Sequence, residues 1–351
     1  MNKKIAVLPG DGIGPEVTAV AVNALQKIAK KFNHTFTFEE GLVGACAIDA
    51  TGNPFPEETL QLCQSADAIL FGAIGHPKYD NDPTAPVRPE QGLLAMRKAL
   101  GLFANIRPVN TFKVLADASP LKREIVEGVD FVVFRELTGG SYFGAKGRSE
   151  DRNSAYDTCT YTRAEILRVT ELAFTAAAIR RKKVTLVDKA NVMETSRLWR
   201  EVVQQYASHF PDIELELMFV DNAAMALIQN PRRFDVILTE NMFGDILTDE
   251  ASVITGSLGM LPSASVGSKV ALYEPIHGSY PQAAGKNIAN PMAAVLSAAT
   301  LLETSFDLRT EGQALRHAVE EALNNGFVTV DINPTNNLGT REVGEKINSF
   351  I

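Results

Sequence analysis

Short runs of apolar residues alternate along the chain with segments whose apolar residues recur at helical spacing. Several runs are apolar on both faces, as strands of a largely parallel sheet covered by helices require. The predicted strands are KIAVL (4–8), FTFEE, DAILFGAI, DFVVFREL, KVTLVDK, ELELMFVD and FDVILTE. Helical patterns lie between them near 163–181, 194–207 and 221–230. This alternation predicts an α/β fold.

The segment after the first predicted strand has the pattern of an amphipathic helix. Its apolar residues share one helical face: Val17, Ala21, Ala24, Leu25 and Ile28. Pro15 suits the first turn of such a helix. The preceding turn, LPGDGIGPEV, has Pro15 where the last glycine of a GxGxxG dinucleotide fingerprint would stand. We therefore interpret it as a tight turn between strand and helix.

Two segments show no regular period. Residues Gly75 to Pro89, GHPKYDNDPTAPVRP, predict one long loop, and loops of this length inside a domain are often functional lids. A second irregular stretch is predicted from Gly256 to Val266. No linker separates these segments from the rest, so we expect the chain to leave one domain and return to it.

Composition narrows the class of protein. The chain has 351 residues, 45% of them apolar, enough for one large domain or two ordinary ones. A net charge of −8 argues against nonspecific binding to nucleic acid or to anionic membranes. The longest apolar stretch, 291–302, is shorter than a membrane span. Three cysteines without CxxC spacing predict reduced thiols in a cytoplasmic protein, not a disulfide framework or a zinc site.

The segment LTENMFGDILTDEAS predicts a helix over 244–256 with two contrasting faces. The apolar face consists of Leu247, Ala251 and Ile254. The other face carries Asp245, Asp249 and Ser252, and its simplest interpretation is a solvated surface. However, the helix follows the carboxyl end of a strand, where open α/β sheets bind ligands. Two carboxylates without nearby His or Cys suit Mg²⁺ or Mn²⁺, and Asp221, at the end of ELELMFVD, is a candidate third ligand.

A second helix, PEQGLLAMRKAL (89–100), mixes charged and apolar residues on one side. That side consists of Glu90, Leu93, Leu94 and Arg97. Either Arg97 extends its charge from a core face, or the stripe is a pocket wall for a ligand with an apolar branch and an anionic end. Arg107 and Arg135 lie near predicted strand ends. Three converging arginines would bind a dicarboxylate, whereas each alone suggests a surface ion pair.

Three further segments contain candidate functional groups. Lys189 and Asn191 close KVTLVDKAN and project to the same side of an extended chain. Lys189 is either a base with a lowered pKa or an exposed strand-end lysine. Tyr142, in the glycine-rich LTGGSYFG, either donates a proton or packs. The stretch 273–295 has glycines, small residues and His277 before a helix expected from Pro291, so a nucleotide could approach its backbone closely.

Seven ordered segments together resemble the β-decarboxylating dehydrogenases, the isocitrate/isopropylmalate dehydrogenase family. They are LPGDGIGPEV, PEQGLLAMRKALGLFANIRPV, FRELTGGSYFG, VDKANVMETSRLWR, VDNAAM, LTENMFGDILTDEAS and EPIHGSYPQAAGKNIANP. This resemblance covers essentially the whole chain and implies two α/β domains around a central mixed sheet, with NAD bound without a Rossmann domain. Residues 1–103 and 257–351 would bind the cofactor, and 104–256 would bind substrate and metal and form a homodimer.

The resemblance also implies roles for individual residues. Each active site would take Lys189, Asn191 and Asp221 from the second subunit of the dimer. The implied catalytic residues are Tyr142, Lys189 and Asp221; the metal ligands are Asp221, Asp245 and Asp249; and the substrate-binding residues are Glu90, Leu93, Leu94, Arg97, Arg107, Arg135, Asn191 and Asp221. The implied cofactor-binding residues are Ile13, Gly75, His76, Glu274, His277, Gly278, Ser279, Gln282, Ala289, Asn290 and Asp331.

Two positions bear on cofactor and substrate choice. Gln282 stands where NAD-using relatives usually carry Asp, yet no Lys or Arg replaces it to attract a 2′-phosphate, so NAD is expected rather than NADP. Glu90 would repel the third carboxylate of isocitrate, while the neighbouring leucines would fit an isopropyl group.

The implied reaction is oxidation of 3-isopropylmalate at C2 by NAD⁺ and loss of CO₂, giving 4-methyl-2-oxopentanoate, the keto acid precursor of leucine. A divalent metal would act as the Lewis acid, Lys189 would take the hydroxyl proton, and Tyr142 would help protonate the enolate. The alternatives are a sister dehydrogenase for tartrate, malate, isocitrate or homoisocitrate, a Mg²⁺-dependent phosphate-transfer enzyme, and a noncatalytic dicarboxylate-binding protein.

Overall fold

The structure, a computed structural model, describes residues 1–81 and 84–351. It confirms the predicted α/β class with a mixed sheet. The chain divides into two compact units, Met1–Leu102 with Ser257–Ile351, and Phe103–Gly256. That one unit binds the cofactor and the other the substrate stays a prediction.

The strands are β1 (Asn2–Gly10), β2 (Thr35–Glu40), β3 (Ala68–Ala73), β4 (Leu102–Asn110), β5 (Asp130–Glu136), β6 (Lys146–Arg148), β7 (Ala155–Asp157), β8 (Lys183–Asp188), β9 (Glu214–Phe219), β10 (Val236–Thr239), β11 (Pro262–Gly267) and β12 (Ala271–Pro275). The helices are α1 (Gly14–Lys31), α2 (Ala45–Thr51), α3 (Glu57–Ser65), α4 (Pro77–Asp80), α5 (Pro89–Ala99), α6 (Arg123–Val126), α7 (Arg163–Ala178), α8 (Glu194–Ala207), α9 (Val220–Gln229), α10 (Asn241–Ser252), α11 (Met292–Ser305), α12 (Arg309–Asn324) and α13 (Thr340–Phe350). Single 3₁₀ turns include Gly140–Tyr142, Val253–Thr255, Leu258–Met260 and Pro281–Ala283.

In the unit that contains both termini, the strands lie in the order β2-β1-β3-β12-β11. The pairs β1–β2, β1–β3 and β3–β12 are parallel, and β11–β12 is antiparallel. Every residue of β3 is buried, because helices α1 and α11 pack against it. The predicted apolar face of α1 is buried as expected. The apolar spacing in the sequence of α1 therefore correctly predicted which of its residues join this core.

In the unit Phe103–Gly256, the strands lie in the order β4-β5-β10-β8-β9. Strands β5, β10, β8 and β9 are parallel to their neighbours, and β4 is antiparallel to β5. Two apolar clusters form its core, one around Phe174 and Trp199 and the other around Phe131, Leu227 and Ile254. Parallel pairing brings the carboxyl ends of four strands to one edge of the sheet, which positions the candidate site.

Several local predictions were wrong. The predicted long loop contains α4, and Asp82 and Pro83 of that loop lie outside the described residues. The irregular stretch predicted from Gly256 to Val266 contains most of β11, whose small polar residues gave no strand signal. The acidic helix begins at Asn241 rather than at 244, because the chain turns directly from β10 into α10.

Three candidate residues lie outside the strands to which the sequence assigned them. Strand β8 ends at Asp188, so Lys189 and Asn191 lie in the following turn, where side chains do not alternate as they do along a strand. Asp221 lies in the first turn of α9 rather than at the end of β9. In the described part of the chain, none of the helices combines the length and apolarity needed to cross a membrane.

Candidate active site

Helix α10 presents two aspartates on one open face. Its apolar residues Leu247 and Ala251 are buried, as predicted, and so is Ile254 in the following 3₁₀ turn. Ser252, predicted to share the acidic face, is also buried, because its hydroxyl bonds the carbonyl of Asp249 instead of facing solvent. The side chains of Asp245 and Asp249 are 35% and 77% exposed, so these two carboxylates alone form the open acidic face.

Asp245 is bound by two predicted site residues. Arg135, at 3% exposure, forms an ion pair with Asp245 Oδ1, and the Tyr142 hydroxyl donates to Oδ2 at 2.8 Å. Burial alone would raise the pKa of Asp245, but Arg135 and Tyr142 outweigh it and lower that pKa below its usual value. Burial and the bond to Asp245 raise the pKa of Tyr142 to about 12. The pair is therefore a carboxylate beside a protonated phenol.

Arg107 binds the second aspartate of the same face. It lies inside β4 rather than at a strand end, and its Nη1 is 3.2 Å from Asp249 Oδ1. The same nitrogen donates to the Thr248 hydroxyl at 2.6 Å, and its Nε donates to Asn105 Oδ1 at 2.8 Å. Sequence reasoning missed Asn105 and Thr248, although an Asn two residues before an Arg on one strand is placed to bond it.

Other residues, which were not predicted as site residues, hold the Arg135 guanidinium in place by hydrogen bonds and close packing. Asn241 Oδ1 accepts from Nε at 3.1 Å and from Nη2 at 2.8 Å. The Asn241 amide in turn donates to the carbonyl of Gly139 at 3.2 Å, and its backbone N–H donates to the Tyr161 hydroxyl at 3.0 Å. A methyl group on Gly244 would lie 2.6 Å from Arg135 Cγ, so only glycine leaves room for the guanidinium stem.

Lys189 and Asp221 form a second pair in this unit. Lys189 Nζ donates to Asp221 Oδ1 at 2.5 Å, and this bond lowers the pKa of Asp221. Asn191 is exposed. Among the described residues, no group of three His, Cys, Asp or Glu side chains could hold a metal ion. One chain thus brings together two of the three predicted metal ligands.

In the other unit, α5 exposes the predicted stripe in part. Glu90 is exposed, Leu93 and Leu94 are half-buried, and Met96, on a different face, is fully buried. Arg97 Nη2 lies 3.6 Å from Glu274 Oε1, which joins a predicted substrate residue to a predicted cofactor residue. The two half-buried leucines form an apolar surface between the carboxylate of Glu90 and the guanidinium of Arg97.

Asp11, which sequence reasoning missed, joins several predicted cofactor residues in this unit. Its carboxylate accepts from the backbone N–H groups of Ala45 at 2.8 Å, Cys46 at 2.9 Å and Gly75 at 3.0 Å. The neighbouring Ile13 N–H donates to the carbonyl of Ser279 at 2.8 Å. The tight turn predicted after β1 is therefore the point at which Ile13, Gly75 and Ser279 meet.

The remaining predicted cofactor residues lie along the segment after β12 and near Asp331. Asn290 Nδ2 donates to Asp331 Oδ2 at 3.1 Å, and the Ser257 hydroxyl donates to the same oxygen at 2.6 Å. Ala289 is buried, whereas Gln282 and His76 are exposed. His277 follows β12, and burial lowers the pKa of its imidazole, which favours the neutral ring.

Comparison with known proteins identifies the family of this chain. A sequence model described as isocitrate/isopropylmalate dehydrogenase matches residues 4–347. The chain belongs to this family. Family members named 3-isopropylmalate dehydrogenase include one from Bacteroides fragilis, 56% identical over 100% of this chain and 99% of its own length. Another, from Bacillus subtilis, is 58% identical over 95% of this chain and 92% of its own length.

Solved structures of the family share the fold. Isocitrate dehydrogenase from Methylococcus capsulatus superposes with a TM-score of 0.88 at 32% identity, covering 99% of both chains. A β-decarboxylating dehydrogenase from Thermococcus kodakarensis gives a TM-score of 0.82 at 35% identity, covering 99% of this chain and 96% of its own.

The residues fit the metal and the dinucleotide that this family implies. Asp245 and Asp249 supply only oxygen donors, the set that Mg²⁺ and Mn²⁺ prefer, and the lowered pKa of Asp245 keeps that carboxylate ionised. His277 Nε2 is buried without a hydrogen-bond partner among the described residues. A methyl group on Gly278 would meet nothing within 4 Å. The open space at Gly278 leaves room for a ligand such as a nucleotide to approach the backbone of this segment.

Proposed function

We propose that the chain is a 3-isopropylmalate dehydrogenase, which oxidises C2 of 3-isopropylmalate and releases its C3 carboxylate as CO₂. The observation that carries this proposal is identity of 56–58% to dehydrogenases of that name over at least 95% of the chain. The α5 surface supports it, because Leu93 and Leu94 suit an isopropyl group and exposed Glu90 opposes a further carboxylate.

Arg107 and Arg135 would bind the carboxylates of the substrate. Both now pair with the aspartates of α10, so these guanidinium groups would exchange protein carboxylates for substrate carboxylates. Asp245 and Asp249 would hold Mg²⁺ or Mn²⁺ together with Asp221 of a second subunit. A dication bound there would polarise the substrate hydroxyl and its neighbouring carboxylate.

Two side chains would move protons. Lys189 Nζ would accept the proton of the C2 hydroxyl, and Asp221, its partner at 2.5 Å, would orient the amine. Tyr142 would return a proton to the carbon that loses CO₂, since a pKa of about 12 keeps its phenol protonated at neutral pH. NAD⁺, held by the cofactor residues named above, would accept the hydride from C2.

We also propose a homodimer with shared active sites. In the unit Phe103–Gly256, apolar side chains remain exposed on α9 and on α10 with its following turn: Met225, Ile228, Ile246 and Val253. Exposed apolar residues on neighbouring helices are typical of a surface that another protein covers. A second copy of the chain would bury them and bring its own Lys189 and Asp221 to the site.

A substrate and cofactor panel tests the proposal. Purified protein is assayed for absorbance of reduced nicotinamide with 3-isopropylmalate, isocitrate, tartrate or malate, each with NAD⁺ and NADP⁺. We expect turnover of 3-isopropylmalate with NAD⁺ and Mg²⁺ or Mn²⁺, and loss of that turnover in EDTA. Preferred turnover of isocitrate would instead indicate the sister dehydrogenase. Nucleoside triphosphate hydrolysis without nicotinamide reduction would indicate phosphate transfer.

A further inference from the structure

Glu136, the last residue of β5, carries a completely buried carboxylate that the proposed reaction steps do not use. The backbone N–H of Thr138 lies 3.0 Å from Oε1 and 2.9 Å from Oε2, and the N–H of Gly139 donates to Oε2 at 2.7 Å. The Thr138 hydroxyl and Arg168 Nη2 donate to Oε1 at 2.7 Å and 3.1 Å. A carboxylate is costly to bury unless donors surround it, so this carboxylate and the backbone that binds it hold each other in place.

The backbone held by Glu136 leads directly into the turn that carries Tyr142. The 3₁₀ turn begins at Gly140, immediately after the Gly139 N–H that Glu136 binds, and ends at Tyr142. From there the Tyr142 hydroxyl donates to Asp245 Oδ2 at 2.8 Å. Because Tyr142 follows Gly139 by only three residues, a shift of the Gly139 backbone would move the phenol away from Asp245.

The donors around Glu136 require an acceptor at both oxygens. A carboxylate accepts at each oxygen, whereas the amide of Gln has one acceptor and one NH₂ donor. Oε1 accepts from Arg168 and the Thr138 hydroxyl, and Oε2 accepts from the Gly139 N–H. In Glu136→Gln, either orientation of the amide would place its NH₂ against donors and leave one of them unsatisfied. The substitution keeps the size of the side chain and removes only this match.

Arg135, the neighbour of Glu136, is held by other contacts. Asn241 Oδ1 accepts from its Nε at 3.1 Å and from its Nη2 at 2.8 Å, and Asp245 forms an ion pair with it. Asn241 is held in turn by its backbone N–H, which donates to the Tyr161 hydroxyl at 3.0 Å. Loss of the Glu136 carboxylate should therefore disturb the proton donor more than it disturbs substrate binding.

We propose that Glu136 is a positioning residue for the release of CO₂. Its carboxylate holds the turn in the one arrangement that keeps the Tyr142 phenol beside Asp245 and directed at the carbon that needs a proton. Because Glu136 is completely buried, it touches no ligand and acts through Tyr142. This inference rests on the proposed function, in which Tyr142 supplies that proton.

A double-mutant cycle tests the coupling between Glu136 and Tyr142. Glu136→Gln should lower kcat about tenfold or more and change KM about twofold or less, because the arginines still bind the substrate. In a Tyr142→Phe protein the same substitution should lower kcat about twofold or less, because the group that it positions is already gone. Equal losses of kcat in the two backgrounds would show that Glu136 supports only the fold and would overturn the proposal. Glu171→Gln, an exposed acid of α7, is the control and should leave kcat unchanged.

Two further measurements keep this test independent of folding and of the proposed substrate. Thr138→Val removes one donor but keeps the backbone N–H, so it serves if Glu136→Gln does not fold, and it should show the same coupling to Tyr142 with a smaller loss. The cycle uses whichever acid of the panel wild type turns over fastest, since the panel alone decides the substrate. Hydrogen exchange of residues 138–142, followed by mass spectrometry without substrate, NAD⁺ or metal, should be about tenfold faster in the variant that folds. Exchange at the wild-type rate would contradict the proposal whatever the substrate is.

Discussion

At the scale of single residues, one hydrogen bond joins two groups that hold opposite protonation states. Burial and, after it, the bond to Asp245 together raise the pKa of Tyr142 to about 12. Burial would also raise the pKa of Asp245, but Arg135 and Tyr142 reverse the effect and lower it. Neighbouring groups whose pKa values are driven apart can act as a proton donor beside a permanent anion, which is what the proposed reaction needs.

Replacing the phenol tests this assignment. Tyr142→Phe should lower kcat about a hundredfold or more and change the KM for 3-isopropylmalate little, because general acid catalysis is lost while the arginines remain. The wild-type rate should not fall between pH 7 and pH 10 through ionisation of Tyr142, since its pKa is about 12. Steady-state assays over that range measure both effects. Tyr156→Phe, an exposed tyrosine of β7, is the control, and unchanged kcat in Tyr142→Phe would exclude the proposed role.

Asp11 marks the limit of sequence reasoning for single residues. The pair Asp245 and Asp249 was visible because residues four apart share a helix face. The bonds of Asp11 reach Ala45 and Gly75, which are 34 and 64 residues away. The sequence shows only an aspartate between two glycines, and no local pattern reveals which distant N–H groups it will bind.

At the scale of elements, strands with apolar residues on both faces were the most predictable. All seven predicted strands form. Five of them, β1, β3, β5, β8 and β10, are largely buried, and burial on both sides leaves a continuous apolar run in the sequence. Strand β11 was missed because its buried positions include Ser263 and Ser265, which read as loop residues. The end of β8 was predicted too late in the chain. Lys189 and Asn191 were taken as strand residues because they directly follow the apolar run, but the strand ends at Asp188.

Helix α10 depends on a glycine inside it. Alanine normally stabilises a helix interior by about 1 kcal/mol relative to glycine. At Gly244 the added methyl group would lie 2.6 Å from Arg135 Cγ, so Gly244→Ala should instead destabilise by about 1–3 kcal/mol and weaken Mg²⁺-dependent activity. Urea unfolding measures the first effect. Gln313→Ala, at an exposed position inside α12, is the control, and a more stable Gly244→Ala protein would show that Arg135 has room to move.

Helix α5 should set substrate choice through its half-buried leucines. Leu94→Ala should lower kcat/KM for 3-isopropylmalate about tenfold or more, because an apolar pocket loses contact with the isopropyl group. The kcat/KM for malate, which has no such branch, should change little. Lys98→Ala, exposed on the same helix, serves as the matched variant. Equal losses for both substrates would mean that Leu94 supports the fold and does not recognise the branch.

At the scale of the whole molecule, one chain does not assemble the complete set of predicted groups. Asp245 and Asp249 are bound by the two arginines, while Asp221 is bound by Lys189. Within the described residues no third acidic, histidine or cysteine side chain joins the α10 pair as a metal ligand. A shared site would resolve this separation, since a second copy would bring Lys189 and Asp221 to the acidic face of the first.

Subunit exchange between two inactive variants tests the shared site directly. Lys189→Met and Asp245→Asn should each be inactive alone. Mixed in equal amounts, dissociated and reassembled, they should recover about a quarter of wild-type activity, because half of the dimers are mixed and each mixed dimer has one intact site. The control is a protein with both substitutions, mixed in equal amount with wild type. Before exchange the mixture should have about half of full activity, and after exchange about a quarter, because a mixed dimer then has no intact site. Single variants that stay inactive after verified exchange would mean that each chain builds its own site.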